Sequence, residues 1–247
     1  MKIEMKFYHN FFDTLVESLK ICSMSPKWMS KHMEFVGIDH INRDLEQERS
    51  IVVYMGHIGN WEWITSLPTK IHPQFVCCEV YHPLENVVMD KVVKTVRERF
   101  GSVTIPMDQI YRRLVDYRSQ KQPVVVGMIA DQVPLFENMH YWTQFLNQKT
   151  SIFTGAERIV RKLDMVTYYA EVKRVRRGHY RLEMIPMFEK TADLPEYGIS
   201  EQYIRLLEKT IISDPSSWLW SHNRWKRTWE QYLEFKKRRS SKHVSKS

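Results

Sequence analysis

The chain has no apolar run long enough to cross a bilayer: its longest, PVVVGMIA at 123–130, falls far short of the roughly 18–20 residues a spanning helix needs. No signal-peptide core is evident, which leaves a cytoplasmic location as the expectation. Cysteine is scarce. Cys22, Cys77 and Cys78 show neither zinc-ligand spacing nor the framework of a disulfide-stapled secreted domain, which suits a reducing compartment. Cys77 and Cys78 lie side by side in an apolar run, where one of two adjacent strand residues faces the core, so structural thiols are favoured over thiol catalysis. His57, His72 and His82 have no HExxH-type spacing, and neither a metal nor any other cofactor is expected. Gly/Ser-rich linkers and repeats of 20–50 residues are also missing, which points to one domain.

What is present is a chain of 247 residues with 43% hydrophobic content, enough for a substantial core. Its net charge of +8 is unevenly placed. From Asn223 to Ser247 nine Lys/Arg face only Glu230 and Glu234, whereas the other 222 residues hold 28 basic and 27 acidic groups. The body is therefore nearly neutral, and only the C-terminal end is a candidate for anionic surfaces. The reading is a folded domain over 1–235 followed by a basic, disordered tail over 236–247.

Apolar runs alternate with helical patterns along most of the chain. Phe7, Phe11, Leu15, Leu19 and Cys22 predict an amphipathic first helix whose apolar stripe packs on the core. Strands are predicted over 51–55, 75–80, 103–105, 124–130, 165–172 and 180–186. Helices are predicted from 61, over 84–100, 109–118, 155–163, 200–212 and 224–237, with a polar, aromatic loop over 133–153. Alternation of this kind indicates an α/β fold, a single domain with a central mixed or mainly parallel sheet flanked by helices. Functional groups of such sheets collect at the carboxyl ends of the strands. That rule selects His57 after the first strand, His82 after the second, and Asp131 with Gln132 after the fourth. The loop aromatics Phe136, His140, Tyr141, Trp142, Phe145 and Phe153 suit either a wall for an acyl chain or ordinary packing.

The segment GHIGNWEW sets His57 five residues before Glu62. On one continuous helix those side chains would point about 140° apart. They can pair if His57 closes a strand and Glu62 opens the next helix, with Gly56 and Gly59 allowing the turn and Asn60 as N-cap. A carboxylate there would fix the imidazole tautomer and leave the other ring nitrogen free as a general base. The same spacing also fits a loop histidine and a first-turn helix acid.

Four blocks together, GHIGNWEW, YHPLEN, ADQ at 130–132 and PSSWLWSHNRWK, resemble in order and spacing the late acyltransferases of bacterial lipid A biosynthesis. The stretch YWTQFLNQKTSIFTGAERIVRKLD resembles Bacteroidetes lauroyl/myristoyl acyltransferases. The resemblance implies a glycerolipid-acyltransferase-like fold and transfer of a fatty acyl chain from a thioester of acyl carrier protein to a hydroxyl of a lipid A precursor. It assigns His57 as base and Glu62 as its orienting acid. It implies substrate contacts at Asn60, His82, Asp131, Gln132, Gly155, His222 and Arg224, with the oxyanion hole sought near Gly155. The absence of a GxSxG elbow agrees with direct attack and no acyl-enzyme.

Two features depart from the family pattern. His82 stands where many members carry Arg, and the family's N-terminal hydrophobic anchor is not seen before the first helix. The expected place is then the cytoplasmic face of the bacterial inner membrane, held peripherally to an anionic surface through basic and aromatic residues. The rival readings are an acyltransferase for an aminolipid or phosphoglycolipid, and a non-catalytic RNA- or membrane-surface-binding protein that uses the basic end and has no need of His57. Nucleic acid is not expected as a partner on the acyltransferase reading.

Overall fold

In chain order, the computed structural model, which describes residues 2–244, contains α1 (Ile3–Lys20), α2 (Pro26–His32), β1 (Met33–Val36), α3 (Ile38–Glu46) and β2 (Ile51–Met55). A 3₁₀ segment (Trp61–Lys70) leads to β3 (Val76–Tyr81), α4 (Val87–Arg97), β4 (Val103–Pro106), α5 (Ile110–Ser119) and β5 (Val124–Ile129). The chain continues through β6 (Tyr141–Phe145), β7 (Gln148–Ile152), α6 (Gly155–Leu163), β8 (Val166–Arg176), β9 (His179–Phe188), α7 (Gly198–Ser213) and α8 (Trp229–Val244).

Seven strands form one sheet in the order β1-β9-β8-β2-β5-β3-β4, parallel throughout except for the β8–β9 hairpin. The single α/β domain is thus the mostly parallel, helix-flanked sheet that the alternation predicts. β2 explains why. All five of its residues are buried, with Ile51, Val53 and Met55 in the core on one face and Val52 and Tyr54 in the core on the other. A strand covered on both faces must read as an unbroken apolar run. β5 inserts between β2 and β3, so the chain ends that leave β2 and β5 emerge side by side at one edge of the sheet.

The first helix forms as expected, with Phe7 and Phe11 half-buried, but its buried face is turned away from the rest of the predicted stripe. Its buried residues are Asn10, Thr14 and Glu17, while Leu15 and Leu19 are exposed at 47% and 77%, and Cys22 is also exposed. Polar groups win here because each finds a partner. Asn10 donates to the Ser216 carbonyl, Thr14 to the Gly59 carbonyl, and Glu17 accepts from Asn60 and Tyr180. Cys77 and Cys78 are buried, and burial pushes both thiols up to about 12. A thiolate nucleophile there would be protonated at neutral pH, which leaves them as packing residues.

The 133–153 segment, expected as loop, holds the antiparallel β6–β7 hairpin, closed by Leu146 and Asn147 with φ of 50° and 61°. Two successive positive φ values make the tight hairpin turn that usually carries glycine. Most of its aromatics pack: Phe145 is fully buried against Trp218, and Trp142 meets Trp229. The basic segment expected as a disordered tail continues α8 through Val244, and residues 245–247 lie outside the described residues. Trp229, Tyr232 and Phe235 hold its first turns by packing on Trp142 and Phe136.

Candidate active site

The turn after β2 is built for close approach. A Cβ on Gly56 would sit 2.6 Å from Leu207 and 3.3 Å from the Asp131 carboxylate, and Gly59 has φ +56°, so both need glycine. The turn is clamped from the far end of the chain. The Gly59 N–H donates to the Ser217 carbonyl at 2.9 Å, and the Leu219 N–H donates to the His57 carbonyl at 3.1 Å.

His57 is partly open, with 17% of its side chain exposed, and its Nδ1 lies 2.6 Å from Oδ1 of Asp131. The other carboxylate oxygen of Asp131 accepts from the His57 backbone N–H and from the Trp218 indole, both at 2.9 Å. Asp131 follows β5, and the parallel register that sets Met55 opposite Ile129 brings His57 opposite Asp131 two residues later. Burial raises the Asp131 carboxyl, but attraction to His57 and the hydrogen bonds from His57 and Trp218 outweigh it and hold the carboxyl below its ordinary value. A carboxylate at Nδ1 puts the ring proton there and leaves the Nε2 lone pair pointing outward. Gln132 Nε2 sits 3.4 Å from that nitrogen.

Glu62 lies elsewhere. It accepts from Arg97 at 3.0 Å and from the Trp61 indole at 3.1 Å, in a 3₁₀ segment rather than an α-helix. The contact with an imidazole nitrogen expected of Glu62 is made instead by Asp131, at Nδ1. The link of Glu62 to His57 is indirect: the Trp61 ring meets the His57 ring edge-on, with centroids 5.0 Å apart. Converting Glu62 to Gln removes the charge facing Arg97 while keeping an acceptor for Trp61. An indirect contact of this kind is worth on the order of 1 kcal/mol, so activity should fall less than about tenfold. A steady-state assay checks it, and a collapse in kcat would show that Glu62 acts on the reacting groups.

The other expected residues are spread over the same edge with unequal access. Asn60 is fully buried and donates to Glu17 at 2.9 Å, making no side-chain cap. His222 is half-buried, and its Nε2 accepts from the Val133 N–H at 3.4 Å. Burial first, then Lys226, hold the His222 imidazole below its ordinary value. Arg224 is 2% exposed and donates to the Ser151 carbonyl at 2.6 Å, so it ties the C-terminal segment to β7 with no face turned to solvent. Burial lowers its guanidinium to about 10. His82 is exposed after β3, with Nδ1 3.0 Å from the Pro83 carbonyl. Gly155 opens α6 beside the Phe153 ring. His82 and Gly155 make no hydrogen bond or ring contact with His57 among the described residues. No group of three or more potential metal ligands occurs there either.

The model of the bacterial lipid A biosynthesis acyltransferases matches residues 2–227. The chain belongs to that family. None of the curated proteins searched matches it. As a lipid A biosynthesis acyltransferase it presents its histidine and carboxylate at adjacent strand ends. Among the described residues, no helix of this acyltransferase is long and apolar enough to cross a membrane. What sequence reasoning missed is Asp131 as the histidine's immediate partner, which the geometry shows. The signal was available in ADQ at the end of an apolar strand, once that strand is paired with β2.

The Trp218 indole is one of the bonds that keep Asp131 ionised. A carboxyl with a depressed folded-state value stabilises the fold above its unfolded value of about 3.9, and that contribution is lost as pH falls through the folded value. Trp218→Phe should raise the folded value, so acid unfolding should begin at higher pH than in the wild type. Urea midpoints measured across the acid range read this directly, and unchanged midpoints would remove Trp218 from the account.

Proposed function

We propose that this acyltransferase moves a fatty acyl chain from a thioester of acyl carrier protein to a hydroxyl of a lipid A precursor, with His57 as general base. The observation that carries the mechanism is the 2.6 Å contact between His57 and Asp131, which leaves Nε2 facing outward. The acceptor hydroxyl gives its proton to Nε2 as its oxygen attacks the thioester carbon. The tetrahedral intermediate then expels the thiolate, which takes the proton from His57. Proton transfer of this kind contributes roughly 10²–10⁴ in rate. Gln132, beside Nε2, offers a hydrogen bond to the reacting oxygen.

Peripheral attachment to a membrane, taken here to be the cytoplasmic face of the inner membrane, is supported by apolar surface on α1 and α4. Val87 and Val88 of α4 are 80% and 72% exposed, and Phe12 and Leu19 of α1 are 62% and 77% exposed. Apolar residues clustered on exposed helix faces suit a lipid interface.

The test is acylation of a lipid A precursor by acyl carrier protein thioesters, comparing the wild type with His57→Ala. Full activity in His57→Ala would reject the base. A wild type that acylates only an aminolipid or a phosphoglycolipid would keep the chemistry and replace the acceptor.

A further inference from the structure

A groove of about 490 Å³ is lined by Phe136, Lys226, Arg227, Gln231, Glu234, Phe235 and Arg238. Its floor is the stacked pair Phe136 and Phe235, with centroids 5.3 Å apart at 17°. Arg227 lies over the Phe136 ring at 5.7 Å and donates to the Pro134 carbonyl at 3.2 Å, three residues after Asp131. Lys226 is exposed, and Arg238 reaches the groove's one carboxylate, Glu234, at 3.6 Å. Three cationic side chains therefore line one groove together with an aromatic pair, and its one acid only partly offsets them. The groove draws on α8, which lies beyond the residues that match the family.

We propose that this groove binds the phosphate ester of a lipid headgroup, with Lys226, Arg227 and Arg238 as its ligands. A groove of this size suits a single headgroup, and Arg with Lys is the donor set that phosphate oxygens prefer. The aromatic floor suits the apolar body to which such a phosphate is attached. A merely solvated basic helix would need no concavity and no aromatic floor. Binding here does not depend on acyl transfer, and the acyl-transfer reading enters only in naming the source. The phosphate belongs either to the acceptor lipid itself or to a surrounding phospholipid, and the two differ in whether monomeric ligand suffices.

The test uses the full chain in a His57→Ala background, so that its outcome is independent of catalysis. One arm titrates short-chain phosphatidic acid below its micelle concentration, followed by calorimetry. The other sediments the protein with phosphatidylcholine vesicles with and without phosphatidylglycerol. The groove variant is Lys226→Glu with Arg238→Glu. The control is Lys237→Glu with Arg239→Glu, which changes net charge equally, on α8, without altering a groove residue. Thermal melts confirm that both fold.

The groove variant should bind at least about tenfold more weakly, and the control should change less than about twofold. Loss in the monomer arm identifies a single bound lipid, and loss confined to the vesicle arm identifies the bilayer surface. Equal losses in groove variant and control, or none in either, overturn the proposal.

Discussion

Asp131→Asn should lower kcat by roughly 10³–10⁴ with little change in fold. An amide in place of that carboxylate cannot stabilise the imidazolium, and it favours the wrong ring tautomer, the effect that costs about 10⁴ where a buried Asp serves a catalytic His. The geometry gives the carboxylate no freedom to share the work. Asp131 is 3% exposed, bonded to His57 through both the ring and the backbone, and anchored by Trp218. Single-turnover acyl transfer measures the chemical step, and a melting curve checks that the variant folds. Activity within about tenfold of the wild type, together with a collapse in Glu62→Gln, would return the orienting role to Glu62.

The second large effect is on stability. Trp63 is fully buried between Tyr180 and Trp28, edge-on to both at 5.2 Å and 5.6 Å, and its indole donates to the Glu17 carbonyl at 3.4 Å. Trp63→Ala should cost about 3–5 kcal/mol, from lost burial plus the cavity left among rings that cannot collapse. Because Trp63 anchors the 3₁₀ segment that follows the His57 turn, activity should also become more sensitive to temperature. Urea denaturation gives the energy, and a cost under about 1 kcal/mol would mean that the surrounding rings close over the gap.

The legible parts of this fold were those where one force acts alone. β2 and β5 read as strands because burial on both faces leaves no polar position, and α6 falls where its helical pattern puts it, at Gly155–Leu163. The β6–β7 hairpin was hidden because Leu146 and Asn147 make its turn without glycine. Apolar spacing locates the buried face of α1 only in part, since Phe7 and Phe11 are half-buried while Leu15 and Leu19 are exposed. Asn10, Thr14 and Glu17 are held instead by partners that lie 43–206 positions away in sequence. A place at a strand end selects His57, and nearness along the chain selects Glu62. The side chain that meets His57 is Asp131, 74 positions on, and strand adjacency brings it there.

The clamp on the His57 turn has a consequence for synthesis. Gly59 and His57 are both hydrogen-bonded to the 217–219 segment, and Trp218 completes the shell of Asp131. A ribosome that has made β2 and β5 has therefore supplied the base and its carboxylate, but not what holds them. The reactive geometry closes only when Trp218 has emerged, after nearly all of the domain is made. Contacts of such long sequence separation form late and slowly. The nascent chain thus carries its histidine for most of its synthesis in an unassembled site.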